Sequence, residues 1–245
     1  MRFLFFVCLC LLANLHVYAA DIDPATIVGV WLLDDEEKGI AKDLSNNAFD
    51  GVIQGTKQEA GKFGKSLDFA KGDTVTINLG KGTITNKVSV AMWLKFTDLT
   101  GQQNYYSIWD QSDHRYVPYK TSANELHFWS NSWDIPSTVF ISAKTWYHVV
   151  NIYDGTKVSI YVDGELKNSQ AAAAFTLSDQ PQTSWLATDK GGWISACTID
   201  DVGLFNAALS EENVKSIMQN GIARAVGFAA VYPSSKLPAL WGALK

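Results

Sequence analysis

After residue 25 the dominant spacing of hydrophobic and polar positions is two. Val88, Val90, Met92, Leu94 and Phe96 alternate with Ser89, Ala91, Trp93 and Lys95, which predicts a strand with one fully apolar face. Trp146, His148, Val150 and Ile152 alternate with Tyr147, Val149, Asn151 and Tyr153, and Val158, Ile160 and Val162 with Ser159, Tyr161 and Asp163. Asp154-Gly155 and Asp163-Gly164 punctuate these runs. Asp-Gly tolerates positive φ at both residues, so Trp146 to about Lys167 is predicted to be a three-strand antiparallel meander. Ile27–Leu33, Ser66–Phe69, Thr74–Leu79, Ser107–Trp109, Glu125–Trp129, Thr138–Ser142, Thr183–Ala187 and Ala196–Phe205 are further strand candidates. One helix is predicted. Ser210 is its N-cap, Glu211 and Glu212 lie in its first turn, Val214, Ile217 and Met218 share a face, and Gly221 ends it. Many short strands and one short helix predict an all-β sandwich of two antiparallel sheets in a single domain.

The first nineteen residues break this pattern. Arg2 precedes the apolar run Phe3 to Leu12, and a more polar stretch then ends in small residues. This layout predicts a secretory signal peptide cleaved after Ala19, with Val17 and Ala19 at the recognised positions. Secretion would end in the periplasm, on the cell surface or in the medium. No later run of 18 apolar residues follows, so no membrane span is expected after cleavage. Losing the signal removes Arg2, Cys8 and Cys10, which leaves 19 basic residues against 25 acidic ones and Cys197 as the one thiol. An acidic chain is a poor electrostatic partner for nucleic acid or anionic lipid. A lone thiol makes no internal disulfide, and a small buried strand residue is the expectation for Cys197. The domain is expected to span residues 20–222. A tail follows over 223–245, strapped down by Trp241 or serving as a docking peptide.

Several segments, in order, resemble the laminin-G-like, concanavalin A-like lectin/glucanase family in its bacterial secreted form. They are Gly29-Val30-Trp31 with Asp34-Asp35-Glu36, then Lys42 to Asn47, and Gly61-Lys62-Phe63-Gly64-Lys65-Ser66-Leu67-Asp68-Phe69. Val88 to Phe96 follows, then Trp146-Tyr147-His148-Val149-Val150 with its two Asp-Gly turns, and Ile199-Asp200-Asp201-Val202 with Ala208-Leu209-Ser210. The resemblance covers about residues 25 to 222. It implies a jelly-roll sandwich, often with a structural Ca²⁺ and sometimes with a glycan-binding surface. It does not imply catalysis, since one fold hosts many functions.

Carried onto this sequence, the family's ion would join the first and last strands through Asp34, Asp35 or Glu36 and through Asp200 or Asp201. Groups near Asp43, Asn46 and Asn47 would complete the shell, in keeping with the oxygen ligands Ca²⁺ requires. Alternation lets only one of Asp200 and Asp201 face the ion, and Asp200 is preferred. The alternative is a set of solvated surface carboxylates.

A sugar site wants exposed aromatic faces beside hydrogen-bonding side chains. Tyr105 to Tyr116, His127 to Asp134 and Trp185 to Trp193 have that mixture. Trp109, Asp110, His127, Trp129, Trp133 and Trp193 are the candidates, with Trp109, Trp133 and Trp193 placed nearer loops. Trp133→Ala is expected to weaken glycan binding with little effect on stability. Trp31, Trp93 and Trp146 are expected in packing roles, and His148 as a packed histidine. The E-x-D-x-x-E strand of the fold's retaining glucanases is not found in the sequence, nor are G-x-S-x-G or H-E-x-x-H. The leading expectation is therefore a non-catalytic lectin-like module for an extracellular polysaccharide or glycan. A protein-adhesion module on the same sandwich is the alternative, and a glycan-cleaving enzyme is less favoured.

Overall fold

The computed structural model describes residues 22–37, 39–190 and 192–228, with the side chains of residues 35–37 excepted. The expected signal peptide, the side chains of Asp35 and Glu36, and residues 229–245 of the expected tail lie outside the described residues. The described chain opens with β1 (Ile27–Glu37), β2 (Ile40–Asp43), β3 (Gly51–Gln54), β4 (Lys57–Ala60), β5 (Lys65–Phe69) and β6 (Thr74–Lys81). It continues with β7 (Val88–Phe96), β8 (Gln103–Asn104), β9 (Tyr106–Asp110), β10 (Arg115–Lys120), β11 (Glu125–Ser130) and β12 (Trp133–Phe140). The last strands are β13 (Tyr147–Tyr153), β14 (Lys157–Val162), β15 (Glu165–Ala171), β16 (Pro181–Leu186) and β17 (Cys197–Phe205). Two helices follow, α1 (Glu211–Asn220) and α2 (Ile222–Ala225).

All the strand pairings are antiparallel, and they join into one sheet that folds over on itself as a sandwich. One half runs β15–β14–β13–β7–β17–β1. The other runs β3–β6–β16–β9–β10–β11–β12, and β2 links the halves by pairing with β1 and β3. Between them lies a core that includes Trp31, Leu67, Phe69, Met92, Phe128, Val149, Tyr153 and Ile199.

The two halves treat their outer faces differently. Ala91, Val150, Ile152 and Phe205 point away from the core, into a second cluster with Leu209, Val214, Ile217, Ile222 and Val226. The helices thus cover β1, β7, β13, β14 and β17 of the first half, whereas β15 at its edge is largely exposed, and β17 is buried at every residue. Ser210 caps α1 by accepting from Asn213 N–H, and the Asn213 side chain accepts in turn from Ser210 N–H. Ala225 and Val226, which the sequence assigns to the tail, are buried in this layer. The second half keeps the alternation of a half-covered sheet. On β11, Leu126, Phe128 and Ser130 are buried, whereas Glu125, His127 and Trp129 are only partly so.

The turns follow side-chain chemistry. Asp163 and Gly164 both take positive φ, of 52° and 78°, and close β14 onto β15 in two residues. At Asp154 the loop is longer. There the carboxylate accepts from Thr156 and Lys157 N–H instead.

Candidate functional site

The open half of the sheet carries a cleft of about 280 Å³. Strand alternation builds it. Arg115, Val117 and Tyr119 of β10 project outward, as do His127 and Trp129 of β11 and Asp134 of β12. Register places Val117 opposite Trp129, and Trp129 opposite Asp134. Gln102, Asn104, Asp189 and Trp193 complete the lining from loops and a short strand.

Trp193 is 58% exposed and has a φ of +41°. Ala187 and Lys190, in the same loop, are also left-handed, at +64° and +53°. Each such residue costs on the order of 1–2 kcal/mol, so the surroundings must hold the loop. Ala187 N–H donates to Tyr105 O at 2.9 Å, Ser195 N–H to Ala187 O at 2.7 Å, and Asn104 N–H to Trp193 O at 2.7 Å. The Thr188 hydroxyl donates to Gly192 O at 2.9 Å. The loop thereby displays a large indole to solvent at the cleft rim.

The polar lining is organised in pairs. His127 Nδ1 lies 2.9 Å from Asp134 Oδ1, and its Nε2 lies 3.4 Å from Glu125 Oε2. Burial opposes a charge on His127, but these two carboxylates outweigh it and raise its pKa above the ordinary value. The Tyr119 hydroxyl donates to Asp134 Oδ2 at 2.8 Å. Asp189 is buried and its Oδ1 lacks a hydrogen-bond partner. Burial pushes that carboxyl up, against the pull of the Asn104 amide and the Arg115 charge. Arg115 lies 3.8 Å over the Trp109 ring and donates to Asp113 Oδ2 at 2.6 Å.

Of the six glycan candidates, Trp129 and Trp193 line this cleft, and His127 borders it through Asp134. Trp109 lies near the end of β9, in the strand expected over Ser107–Trp109, and one of its ring faces is taken by Arg115. Asp110 points inward at the end of β9. Its carboxylate accepts from Ser112, His114 and Ser178 N–H. Burial opposes its charge, but the Ser178 and His114 hydrogen bonds prevail and lower its pKa to about 2. Trp133 corrects the sequence reading. It is 9% exposed and packs on Phe128 at 5.0 Å and Tyr153 at 5.3 Å. The cause is the two-residue turn that sets Trp133 opposite inward-facing Ser130. Arg115, Tyr119 and Asn104 were not singled out from sequence. Pro118 masks the alternation of β10, and a two-residue strand leaves no period to detect.

The metal candidates separate into two places. Asp43 is engaged by four donors: Val30, Ser45 and Phe49 N–H and the Ser45 hydroxyl. Asn46 is exposed in the adjoining turn. Asp34, Asp200 and Asp201 lie elsewhere, around residues 61–65 and 221–222. Asp200 Oδ2 accepts from Lys62 N–H at 2.6 Å and Phe63 N–H at 2.9 Å, and Asp34 Oδ1 accepts from Lys65 N–H at 2.7 Å. A side chain at Gly61 would meet Asp200 Oδ2 at 2.5 Å, and one at Gly64 would meet Asp34 Oδ1 at 2.3 Å, which accounts for both glycines of the Gly-Lys-Phe-Gly turn. A β-irregularity with Asp201 at φ +51° interrupts β17 here, and Asp201 Oδ2 accepts from Ile222 N–H at 3.1 Å. Burial, then the Asp201 charge, drives the Asp200 carboxyl up, and burial lifts Asp201 to about 7. Asp200 Oδ1 is buried without a hydrogen-bond partner. Among the described residues, no three His, Cys, Asp or Glu side chains converge in a metal-holding group.

Residues 69–215 match the family described as the concanavalin A-like lectin/glucanases superfamily. The chain belongs to that family. Among solved structures it is similar to domain 4 of AbnA, a GH43 extracellular arabinanase from Geobacillus stearothermophilus, in complex with arabinotriose. The TM-score is 0.67 at 19% identity, over 79% of this chain and 98% of that one. It is also similar to the binding domain of Paraclostridial Mosquitocidal Protein 1, with a TM-score of 0.63 at 14% identity over 80% of this chain. Trypanosoma rangeli sialidase in complex with the inhibitor DANA gives 0.61 at 13% identity over 78%. The chain spans about half of the former (52%) and a third of the latter (32%). No curated protein sequence matches the chain. Among the described residues, no helix is long and apolar enough to cross a membrane.

Proposed function

We propose that this protein is a secreted, non-catalytic glycan-binding module with a jelly-roll sandwich, and that the Trp129–Trp193 cleft is its binding site. The observation that carries this reading is Trp193, 58% exposed in a left-handed loop and placed on one cleft with Trp129. Sugar rings offer C–H faces to indoles and hydroxyl edges to carboxylates, amides and guanidinium groups. Arg115, Asn104, Asp134 and Asp189 supply those groups. The arabinotriose held by the similar arabinanase domain supports the same ligand class. Native affinity electrophoresis on a panel of arabinans, xylans, glucans, mannans and galactans tests the reading. Retardation on one or two polymers, with no release of reducing ends, is expected. Migration unchanged on every polymer would transfer the reading to protein adhesion, and reducing-end release would make the protein an enzyme.

A structural Ca²⁺ is proposed at Asp200, the preferred carboxylate, with backbone carbonyl and water oxygens, rather than a converging set of carboxylates, completing its shell. The unpartnered, buried Asp200 Oδ1 supports it. An ion bound only by the folded state raises stability, so EDTA is expected to lower the melting temperature and added Ca²⁺ to restore it. Identical melts under both conditions would remove the ion from the account.

A further inference from the structure

We propose that a second depression, about 380 Å³ in volume, is a further subsite for the same glycan chain, with Trp185 as its aromatic wall. This rests on the glycan reading of the first cleft and extends it to a linear polymer bound along its length. The depression brings Trp185 together with Gln54, Asp73, Thr74 and Thr76, one indole among an amide, a carboxylate and two hydroxyls. That is again the chemistry of a sugar site. The two depressions share a rim. Thr188 lines the second and Asp189, the next residue, lines the first.

Side chains also connect them across the sheet. Trp185 meets Trp109 edge-on at 6.1 Å, and Trp109 carries Arg115, which lines the first cleft. Trp185 is on β16 and Trp129 on β11, with β9 and β10 between them. Three strand spacings amount to about 14 Å. A monosaccharide cannot reach both indoles, whereas a chain lying across the strands can. The structure therefore assigns Trp193 and Trp129 to a subsite that short ligands fill, and Trp185 to one that only longer ligands reach.

The test is an array of linear arabino-, xylo-, gluco-, manno- and galacto-oligosaccharides, one to eight units long, probed with the wild type, Trp185→Ala and Trp193→Ala. For the sugar series that binds, affinity is expected to rise with length by about tenfold or more, the worth of one well-placed aromatic contact. Trp185→Ala should abolish that rise and leave the shortest bound ligands unaffected, while Trp193→Ala should weaken all lengths. Thr76→Arg fills the same depression from an outward strand position. It gives an independent variant, expected to repeat the Trp185→Ala profile, should the latter fold poorly. Binding that depends on Trp193 but is independent of length, or of both Trp185 and Thr76, overturns the second subsite alone. No binding to any member by the wild type overturns the subsite and the glycan reading together.

Discussion

Trp133 and Trp193 are the same side chain in opposite roles. The Trp133 ring is enclosed by Tyr116, Phe128 and Tyr153, so Trp133→Ala is expected to destabilise by about 3–5 kcal/mol in denaturant titration. A loss under 1 kcal/mol would show that the ring is not core. The sequence offered no way to rank the two indoles, because the difference lies in parity. Across an antiparallel pair, opposed residues share a face. Once Ser130 opposes Trp133, the latter must point inward with Phe128, and Trp129 must point outward with Asp134. The histidines divide similarly. His148 is fully buried, and burial, then the Lys62 charge, depresses its pKa to about 3. His127 is raised. A depressed histidine withholds a proton that the unfolded chain binds, so its share of stability is lost as pH falls from about 6.5 towards 3. A raised histidine contributes fully below about 6.5, and that contribution fades as pH rises through its folded value. Melting temperatures across pH 4–9 should therefore show His148→Phe flattening the acid side. The deficit of His127→Gln should be largest below pH 6.5 and shrink above it. Parallel profiles for all three proteins would contradict both assignments.

At the scale of elements, the long alternating strands were legible and the short or interrupted ones were not. The β7 pattern, the 147–171 meander and the capped helix follow directly from period and turn chemistry. Pro118 hides β10, yet the sheet accommodates it. On that side β10 pairs with β9 through Arg115 and Tyr116 and with β8 through Tyr119 and Lys120, so the proline falls where the ladder is already broken. The Gly61–Lys65 turn shows a further kind of hidden information. Its glycines were visible as a motif, but their reason is the approach of Asp34 and Asp200, remote in sequence. The candidate site was partly legible for the same reason. Trp129, Trp193 and His127 came from local composition, whereas Arg115, Tyr119 and Asn104 depend on register between strands.

The whole molecule is asymmetric in how it covers its sheet. In one half, β1, β7, β13, β14 and β17 are covered on both faces, by the core and by α1, α2, Val226 and Phe228. The other leaves its outer face open, and both depressions lie on that face. The fold thus supplies one surface on which outward positions from adjacent strands form rows, with Trp193 lining the same cleft from a stretch in which Ala187, Lys190 and Trp193 are left-handed. In the proposed function, Trp193 is the indole that contacts the sugar. The most direct test compares wild type and Trp193→Ala by affinity electrophoresis on a polysaccharide that retards the wild type, with melting temperatures taken alongside. The variant is expected to migrate as it does without polysaccharide while its melting temperature is unchanged. Retardation equal to the wild type, with the fold intact, would contradict that role of Trp193.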